Sequence, residues 1–259
     1  MKKETVGLHG LSIGYRAGRT CHQVAEGLNA SLWSGELTCL LGSNGVGKST
    51  LLRTLAGFQP PLAGEITPIG MLTTRDLAKE VSVVLTSKPD STMMSVEEMV
   101  AMGRFPYSGF WGRRSQKEQN YVDEAIRLVG IEVLRNRQFA SLSDGEKQKV
   151  MIAKALAQQT PILLLDEPTA YLDYGSKVEI LLLLKRMAHE LNKTIFLSTH
   201  DMELALQLAD KLWLMEREKD KVTLHVGTPR ELADDGTLSL YINKVGSHFD
   251  PESLRISVL

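Results

Sequence analysis

The strongest constraint on this chain is a glycine-rich turn that lies between an apolar segment and an apolar helical stripe. The turn matches the pattern G-x-x-x-x-G-K-[ST], in which backbone N–H groups and the positive end of a helix can face anionic oxygens. The apolar segment before it is residues 37–41, and leucines continue after it with helical spacing. The residues of this predicted phosphate-binding turn are Gly42, Ser43, Asn44, Gly45, Val46, Gly47, Lys48, Ser49 and Thr50. We therefore expect a strand, a phosphate-binding turn and a helix, in that order.

Four polar side chains could carry phosphate chemistry together. Lys48 can bridge the β- and γ-phosphates of a nucleotide, and the Ser49 hydroxyl can ligate Mg²⁺. Asp166 and Glu167 end the apolar strand predicted at residues 162–165. From an extended backbone their side chains would point in opposite directions. Asp166 could then hold Mg²⁺ through a water, while Glu167 polarises a second water for in-line attack on the γ-phosphate.

Two aromatic residues are further candidates for the same site. His200 follows the apolar segment 194–199 and would reach the same sheet edge, where it could contact the γ-phosphate or the attacking water. An isolated histidine there is more often an ordinary loop residue, but the phosphate turn and the carboxylate pair favour catalysis. Tyr15 could place its ring against a purine. A partly buried strand tyrosine is the alternative interpretation.

The order of the predicted elements indicates an α/β fold with a mostly parallel sheet. Strands alternate with helices toward the C-terminus, which implies right-handed crossovers. Residues 81–85 are apolar on both faces, so we expect a central strand there. Residues 212–215 and 222–226 predict a hairpin around the charged turn 216–221. Residues 5–41 are predicted to form strands.

A helical insert is predicted within one domain. Residues 116–129 carry apolar side chains on one side, and Ser95 followed by Glu98 is a capping box. Residues 103–113 mix aromatics, glycines and arginines, which is typical of a contact surface or of a tethered loop. The expected divisions of the single domain 1–259 are the core 1–86 and 160–230, the insert 87–159 and the C-terminal extension 231–259.

Composition excludes several classes of protein. A formal net charge of −1 gives no bulk reason to expect a nucleic-acid partner. No apolar run approaches the ~18 residues of a spanning helix, and the N-terminus does not resemble a secretory signal, so we expect a cytoplasmic location. Cys21 and Cys39 fit buried thiols of a reducing compartment.

A further segment, residues 142–148, places Ser143 as a helix cap and brings the Gly145 backbone within reach of an anion. Together with the features above it resembles the nucleotide-binding subunits of ABC transporters. The segments that carry the resemblance are 42–49, 142–148, 162–167, 171–173 and 200–201. The resemblance implies a P-loop NTPase core, an N-terminal antiparallel β subdomain and a helical subdomain inserted before the 142–148 signature.

The resemblance also implies roles for individual residues. Tyr15 would stack on adenine, and Ser143 and Gly145 would close over the γ-phosphate bound by a second copy. Asp173 would line the seam of this homodimer, which would hold two ATP molecules with Mg²⁺. Thr86 stands where the family usually has a Mg²⁺-sensing glutamine, and its hydroxyl could still ligate the metal. Glu146 replaces the usual glutamine of the signature and adds a carboxylate near the partner's phosphate.

Within the family, residues 96–113 resemble those of ATPases that serve importers of ferric siderophores, haem and cobalamin. This implies membrane permease subunits as partners, a substrate-binding protein as an indirect partner, and a location on the cytoplasmic face of the inner membrane. The alternatives are a soluble ABC ATPase that acts on nucleic acid or ribosomes, a nucleotide-gated scaffold with little catalysis, and an exporter subunit. The first would need a second ATPase domain or a long coiled-coil insert, and the chain has neither pattern.

Overall fold

The computed structural model describes residues 2–18, 20–86, 93–107, 115–219, 221–243 and 247–258. The strands in these ranges are β1 (Glu4–Ala17), β2 (Thr20–Trp33), β3 (Leu37–Gly42), β4 (Ala63–Thr67), β5 (Val81–Val84), β6 (Ile162–Asp166), β7 (Thr194–Ser198), β8 (Lys211–Glu218), β9 (Lys221–Gly227), β10 (Ser247–Asp250) and β11 (Arg255–Val258). The α-helices are α1 (Lys48–Leu55), α2 (Thr74–Glu80), α3 (Val96–Ala101), α4 (Gln116–Val129), α5 (Asp144–Ala157), α6 (Tyr174–Leu191), α7 (Met202–Leu208), α8 (Pro229–Asp234) and α9 (Thr237–Ile242). Among these helices, none combines the length and apolar character needed to cross a membrane.

A six-stranded sheet in the order β5-β6-β7-β3-β8-β9 forms the central layer. Neighbours from β5 to β8 are parallel, and β9 pairs with β8 in the antiparallel direction. Alternate residues of β3 belong to two different apolar clusters, one on each face, so the strand is buried throughout. Because the parallel strands share a direction, the residues that follow β3, β6 and β7 meet at one edge. The predicted α/β fold with a mostly parallel sheet is confirmed.

The N-terminal strands form a separate antiparallel sheet in the order β2-β1-β4. Its apolar residues share one buried cluster with α1 and with one face of the central sheet. This packing brings the β1–β2 hairpin next to the turn that follows β3. The antiparallel β subdomain implied by the resemblance is therefore present.

The helical layer is formed by α3, α4 and α5, which pack in the second apolar cluster. The buried Arg104 fixes the turn after α3: its guanidinium carbon lies 4.1 Å from the ring centre of Tyr107 and 4.4 Å from that of Tyr121. Its Nε donates to Glu118 at 2.6 Å and its Nη1 to the Ala157 carbonyl at 2.6 Å. A buried guanidinium needs such partners, because an unpaired charge in the interior is costly.

The segment 103–113 is described only as far as residue 107, and residues 108–114 lie outside the described ranges. Both interpretations of this segment, a contact surface and a tethered loop, stay predictions. The same holds for the part of the import-type motif that falls in these residues. The capping box at Ser95 is confirmed, with the Ser95 N–H donating to Glu98 at 2.7 Å.

One expectation about the sheet is wrong. β5 lies at the edge of the central sheet and pairs with β6, so it is not a central strand. Most of its side chains are apolar because α2 and α5 pack against the strand and cover them. Helices cover edge and central strands of a parallel sheet alike, so apolar residues on both faces do not distinguish them.

Other differences are local. α2 was not expected, although Thr73 caps it by accepting the Asp76 N–H at 3.2 Å. The β8–β9 hairpin is tighter than predicted, because β8 extends to Glu218 and β9 begins at Lys221. Cys39 is buried as expected, but Cys21 is exposed, so the prediction of two buried thiols is wrong for Cys21.

Candidate nucleotide-binding site

A cavity of about 390 Å³ opens at the carboxyl edge of the parallel strands. Residues from the β1–β2 hairpin, the glycine-rich turn, the ends of β6 and β7, and β8 meet there. The residues that line it are Tyr15, His22, Gln23, Val24, Asn44, Gly45, Gly47, Lys48, Ser49, Thr50, Glu167, His200 and Arg217. The structure thus brings the glycine-rich turn together with Tyr15, Glu167 and His200, as expected from the sequence.

The glycine-rich turn needs its glycines for two physical reasons. Gly42, Gly45 and Gly47 have φ values of 149°, 76° and 120°, which side-chain-bearing residues rarely adopt. A Cβ on Gly42 would come within 2.5 Å of the Met215 carbonyl oxygen, and one on Gly47 within 2.5 Å of Val24 Cγ1. The turn is therefore held tightly between β8 and the β1–β2 hairpin.

Lys48 begins α1 and is buried against the turn that precedes it. Its Nζ donates to the Gly42 carbonyl at 2.7 Å and to the Ser43 carbonyl at 3.1 Å. Burial lowers the pKa of this ammonium, and the nearby Glu167 and Asp166 carboxylates oppose that shift in part. A buried cation at a helix N-terminus suits a phosphate, whose oxygens could replace the carbonyl acceptors.

Asp166 ends β6 in a network of hydroxyl donors. Its Oδ1 accepts from Ser49 Oγ at 3.2 Å and from Ser198 Oγ at 2.7 Å. Ser198 lies opposite Asp166 in the β6–β7 register, which explains how the contact forms. Sequence reasoning missed Ser198, and the pairing of two strand ends was the signal that could have revealed it.

The oxygen donors around Asp166 fit Mg²⁺. Mg²⁺ takes oxygen ligands and usually binds through one or two protein groups together with phosphates and water. The Ser49 hydroxyl and the Asp166 carboxylate supply two such groups side by side. No group of three or more histidine, cysteine or acidic side chains that could enclose a metal occurs in the described part of the chain.

Glu167 faces the cavity, but not for the reason predicted. Its φ is +49°, so the backbone leaves the strand at this residue and the alternation of an extended chain does not apply. The Glu167 N–H donates to Ser198 Oγ at 2.9 Å, which holds this left-handed turn. The Glu167 Oε1 and the His200 Nε2 are hydrogen-bonded at 2.7 Å. The two catalytic candidates thus form a pair beside Lys48.

Thr86 lies close to the same network. Its Oγ1 donates to the Asp166 main-chain carbonyl at 2.8 Å. It is two residues beyond the end of β5 and does not line the cavity. Its role as a metal ligand stays a prediction.

The other end of the cavity is aromatic and basic. Tyr15 lies opposite His22 in the β1–β2 register, and their rings stack at 5.2 Å with an interplanar angle of 26°. Tyr15 belongs to strand β1 and is 53% exposed, and its stacking on adenine stays a prediction. Arg217 of β8 also reaches this cavity. Sequence reasoning missed His22 and Arg217.

The signature residues lie elsewhere on the surface. Ser143 caps α5, and its N–H donates to Glu146 at 2.8 Å, which completes a capping box. Asp173 caps α6 by accepting the Ser176 N–H at 3.0 Å, and the pKa of its carboxyl is lowered mainly by the Ser176 hydroxyl. A Cβ on Gly145 would meet Ser176 Oγ at 3.4 Å, so the two caps are neighbours. None of these residues lines the cavity, and their nucleotide contacts stay predictions.

Comparisons with known proteins agree with this geometry. A family model described as ABC transporter matches residues 25–170. An uncharacterized ABC transporter ATP-binding protein from Methanocaldococcus jannaschii is 43% identical over 213 residues, which cover 81% of this chain and 72% of that protein. The iron(3+)-hydroxamate import ATP-binding protein FhuC of Bacillus subtilis is 35% identical over 226 residues, which cover 85% and 82% of the two chains.

Solved structures give the same result. The dimeric ATP-binding cassette MJ0796, in a post-hydrolysis state bound to ADP and phosphate, superimposes with a TM-score of 0.69 at 26% identity. The match covers 85% of this chain and 98% of that one. In this chain the glycine-rich turn, the buried Lys48 and the Glu167–His200 pair meet at one cavity. The chain is an ATPase and belongs to the family of ABC transporter ATP-binding proteins.

Proposed function

We propose that this chain is the ATP-hydrolysing subunit of an importer that takes up an iron chelate of the ferric siderophore type through a membrane permease. The hydrogen bond of 2.7 Å between Glu167 Oε1 and His200 Nε2 is the observation that carries the hydrolytic part. The similarity to the iron(3+)-hydroxamate import protein supports the choice of cargo. Haem and cobalamin are alternative cargoes that only the resemblance in sequence suggests.

In this proposal the turn that follows β3 binds the triphosphate through its N–H groups and Lys48. Ser49 and Asp166 would hold Mg²⁺, which when bound would supply positive charge to the triphosphate. Glu167 accepts a proton from the water that attacks the γ-phosphorus, and the bond from that phosphorus to the β-phosphate oxygen breaks. His200 keeps the Glu167 carboxylate on the attacking side of the phosphate.

The proposal also includes a symmetric homodimer that holds ATP at its interface. Ser143 and Gly145 of each copy close over the nucleotide bound by the other, and Asp173 lies at the seam. Their position outside the copy's own cavity supports this arrangement, as does the similarity to a dimeric cassette. Hydrolysis removes contacts that bridge the two copies, so the dimer can open and move the permease at the cytoplasmic face of the membrane.

Transport by the purified complex tests the cargo and the direction together. The chain would be co-purified with its permease, reconstituted into liposomes and supplied with a ferric hydroxamate delivered by its binding protein. We expect ATP-dependent uptake of iron, which Glu167→Gln abolishes. Uptake of haem or cobalamin without uptake of any ferric siderophore would overturn the assignment of a ferric siderophore as the cargo. ATP-driven efflux would overturn the assignment as an importer.

A further inference from the structure

The nucleotide cavity contains a basic side chain that lies outside the phosphate-binding turn. Arg217 of β8 lines the same cavity as Lys48 and Tyr15. Met215, two residues earlier on this strand, touches the turn: a Cβ built on Gly42 would lie 3.3 Å from Met215 Cβ. Side chains two apart on a strand share a face, so Arg217 lies on the same face of β8 as Met215, one step beyond the turn.

The β8–β9 hairpin that carries Arg217 packs against the strand that carries His22. β9, which pairs with β8 so that Val222 lies opposite Arg217, packs against β2. β2 carries His22, and His22 stacks on Tyr15 of β1. These contacts link the Arg217 strand to Tyr15 and His22. We therefore assign the guanidinium to the aromatic end of the cavity, away from the carboxylates of Asp166 and Glu167.

The donors of Arg217 are available to a ligand. The side chain is exposed, and within the described residues it forms no hydrogen bond and no ion pair. Lys48, by contrast, is already bonded to two carbonyls of its own turn. A guanidinium offers five N–H donors in a fixed plane and accepts none, so it suits anionic oxygens.

We propose that Arg217 is a further nucleotide-binding residue, which holds the α-phosphate of ATP while Tyr15 and His22 receive the base. The proposal rests on the assignment of this cavity to ATP. Adenine presents one acceptor and one donor on its N6/N7 edge, whereas guanine presents two acceptors. A donor-only side chain that bound the base edge would therefore favour guanine, and a contact with the α-phosphate is compatible with ATP.

The test is ADP affinity, because ADP keeps the α-phosphate and is not consumed. Calorimetry on the full chain would compare wild type with Arg217→Ala, Arg217→Lys and the control Lys221→Ala, which removes an exposed charge of the same hairpin that does not line the cavity. We expect about tenfold weaker binding for Arg217→Ala, near the lower end of the range for a hydrogen bond to a charged group, and partial recovery for Arg217→Lys. The difference in ADP affinity between wild type and Arg217→Ala should become smaller at high salt. Lys221→Ala should match wild type.

The proposal would be overturned if Arg217→Ala bound ADP as tightly as Lys221→Ala does. It would also be overturned if salt left the difference in ADP affinity between wild type and Arg217→Ala unchanged, or if Arg217→Ala unfolded at a lower temperature than wild type without nucleotide. The Lys48→Ala variant separates this failure from a failure of the site. If Lys48→Ala also binds ADP as wild type does, the cavity itself is misassigned. If Arg217→Ala binds ADP as wild type does but Lys48→Ala does not, the assignment of the cavity to ATP is kept and Arg217 has no part in binding.

Discussion

The cavity that we propose for ATP has a phosphate end and a nucleoside end, which are built differently. At the phosphate end, Lys48 and Asp166 are 5% and 9% exposed, and both already have hydrogen-bond partners within the chain. At the nucleoside end Tyr15 is 53% exposed, and Arg217 is exposed as well. A preorganised set of donors and acceptors fixes the geometry of a reaction, whereas exposed aromatic and basic side chains contribute affinity with little demand on geometry. Changes at the first end should therefore abolish chemistry, and changes at the second should shift binding.

The largest effect is expected from Glu167→Gln. The amide cannot accept a proton, so ATP turnover should fall by about 10²- to 10⁴-fold while ATP affinity stays within about threefold of wild type. Steady-state phosphate release and equilibrium binding measure the two quantities. Glu203→Gln, an exposed acid at the start of α7, is the control and should keep full turnover. Turnover by Glu167→Gln equal to that of the control would remove the catalytic role.

The Ser198→Ala variant tests whether the phosphate end depends on its network. Ser198 is fully buried, donates to Asp166 and accepts from the Glu167 N–H, so its loss leaves Asp166 Oδ1 with Ser49 as its only remaining donor in the described network and removes the side-chain acceptor of the Glu167 N–H. Loss of a partner by a buried polar group costs about 1–3 kcal/mol. We expect a measurable loss in the free energy of unfolding by urea and a lower turnover number at saturating ATP. Unchanged stability together with unchanged turnover would show that the network does not position the carboxylates.

The pKa of Lys48 makes the phosphate end sensitive to pH. Burial lowers this pKa below its usual value of 10.5 in the free chain. Phosphate binds the protonated amine, so affinity should be constant at low pH and should weaken as pH rises through the lowered pKa, approaching tenfold per pH unit. Calorimetry with ADP from pH 7 upward, with circular dichroism to check the fold, measures this. Affinity that stays constant up to pH 10.5 would contradict the expected shift.

The smallest effect is expected at the nucleoside end. Tyr15→Ala should weaken ATP binding by about five- to tenfold, since stacking of a base on an aromatic ring is worth ~1–3 kcal/mol and this ring is largely exposed. Tyr15→Phe should bind as wild type does, because stacking needs no hydroxyl. Turnover at saturating ATP should not change in either variant. A large drop in turnover for Tyr15→Ala would erase the contrast between the two ends.

The same contrast explains what the sequence could predict. The phosphate end depends on local spacing, since Gly42 to Ser49 form one turn and Asp166 and Glu167 are adjacent, so the chemistry was readable from the pattern. Ser198, His22 and Arg217 reach the site through strand pairing, which no local pattern of residues specifies. The prediction of β5 as a central strand failed for a related reason, because sheet order is set by crossovers and not by the strand's own residues.

We propose that ATP is held between two copies of this chain, and the oligomeric state of the Glu167→Gln variant decides whether it is. Light scattering after gel filtration would compare the variant with Mg²⁺ and saturating ATP against the same variant with ADP. We expect a dimer with ATP and a monomer with ADP, because Ser143 and Gly145 are proposed to contact a γ-phosphate that ADP lacks. A variant that binds ATP yet remains a monomer, alone and in the presence of its permease, would show that ATP does not hold two copies of the chain together.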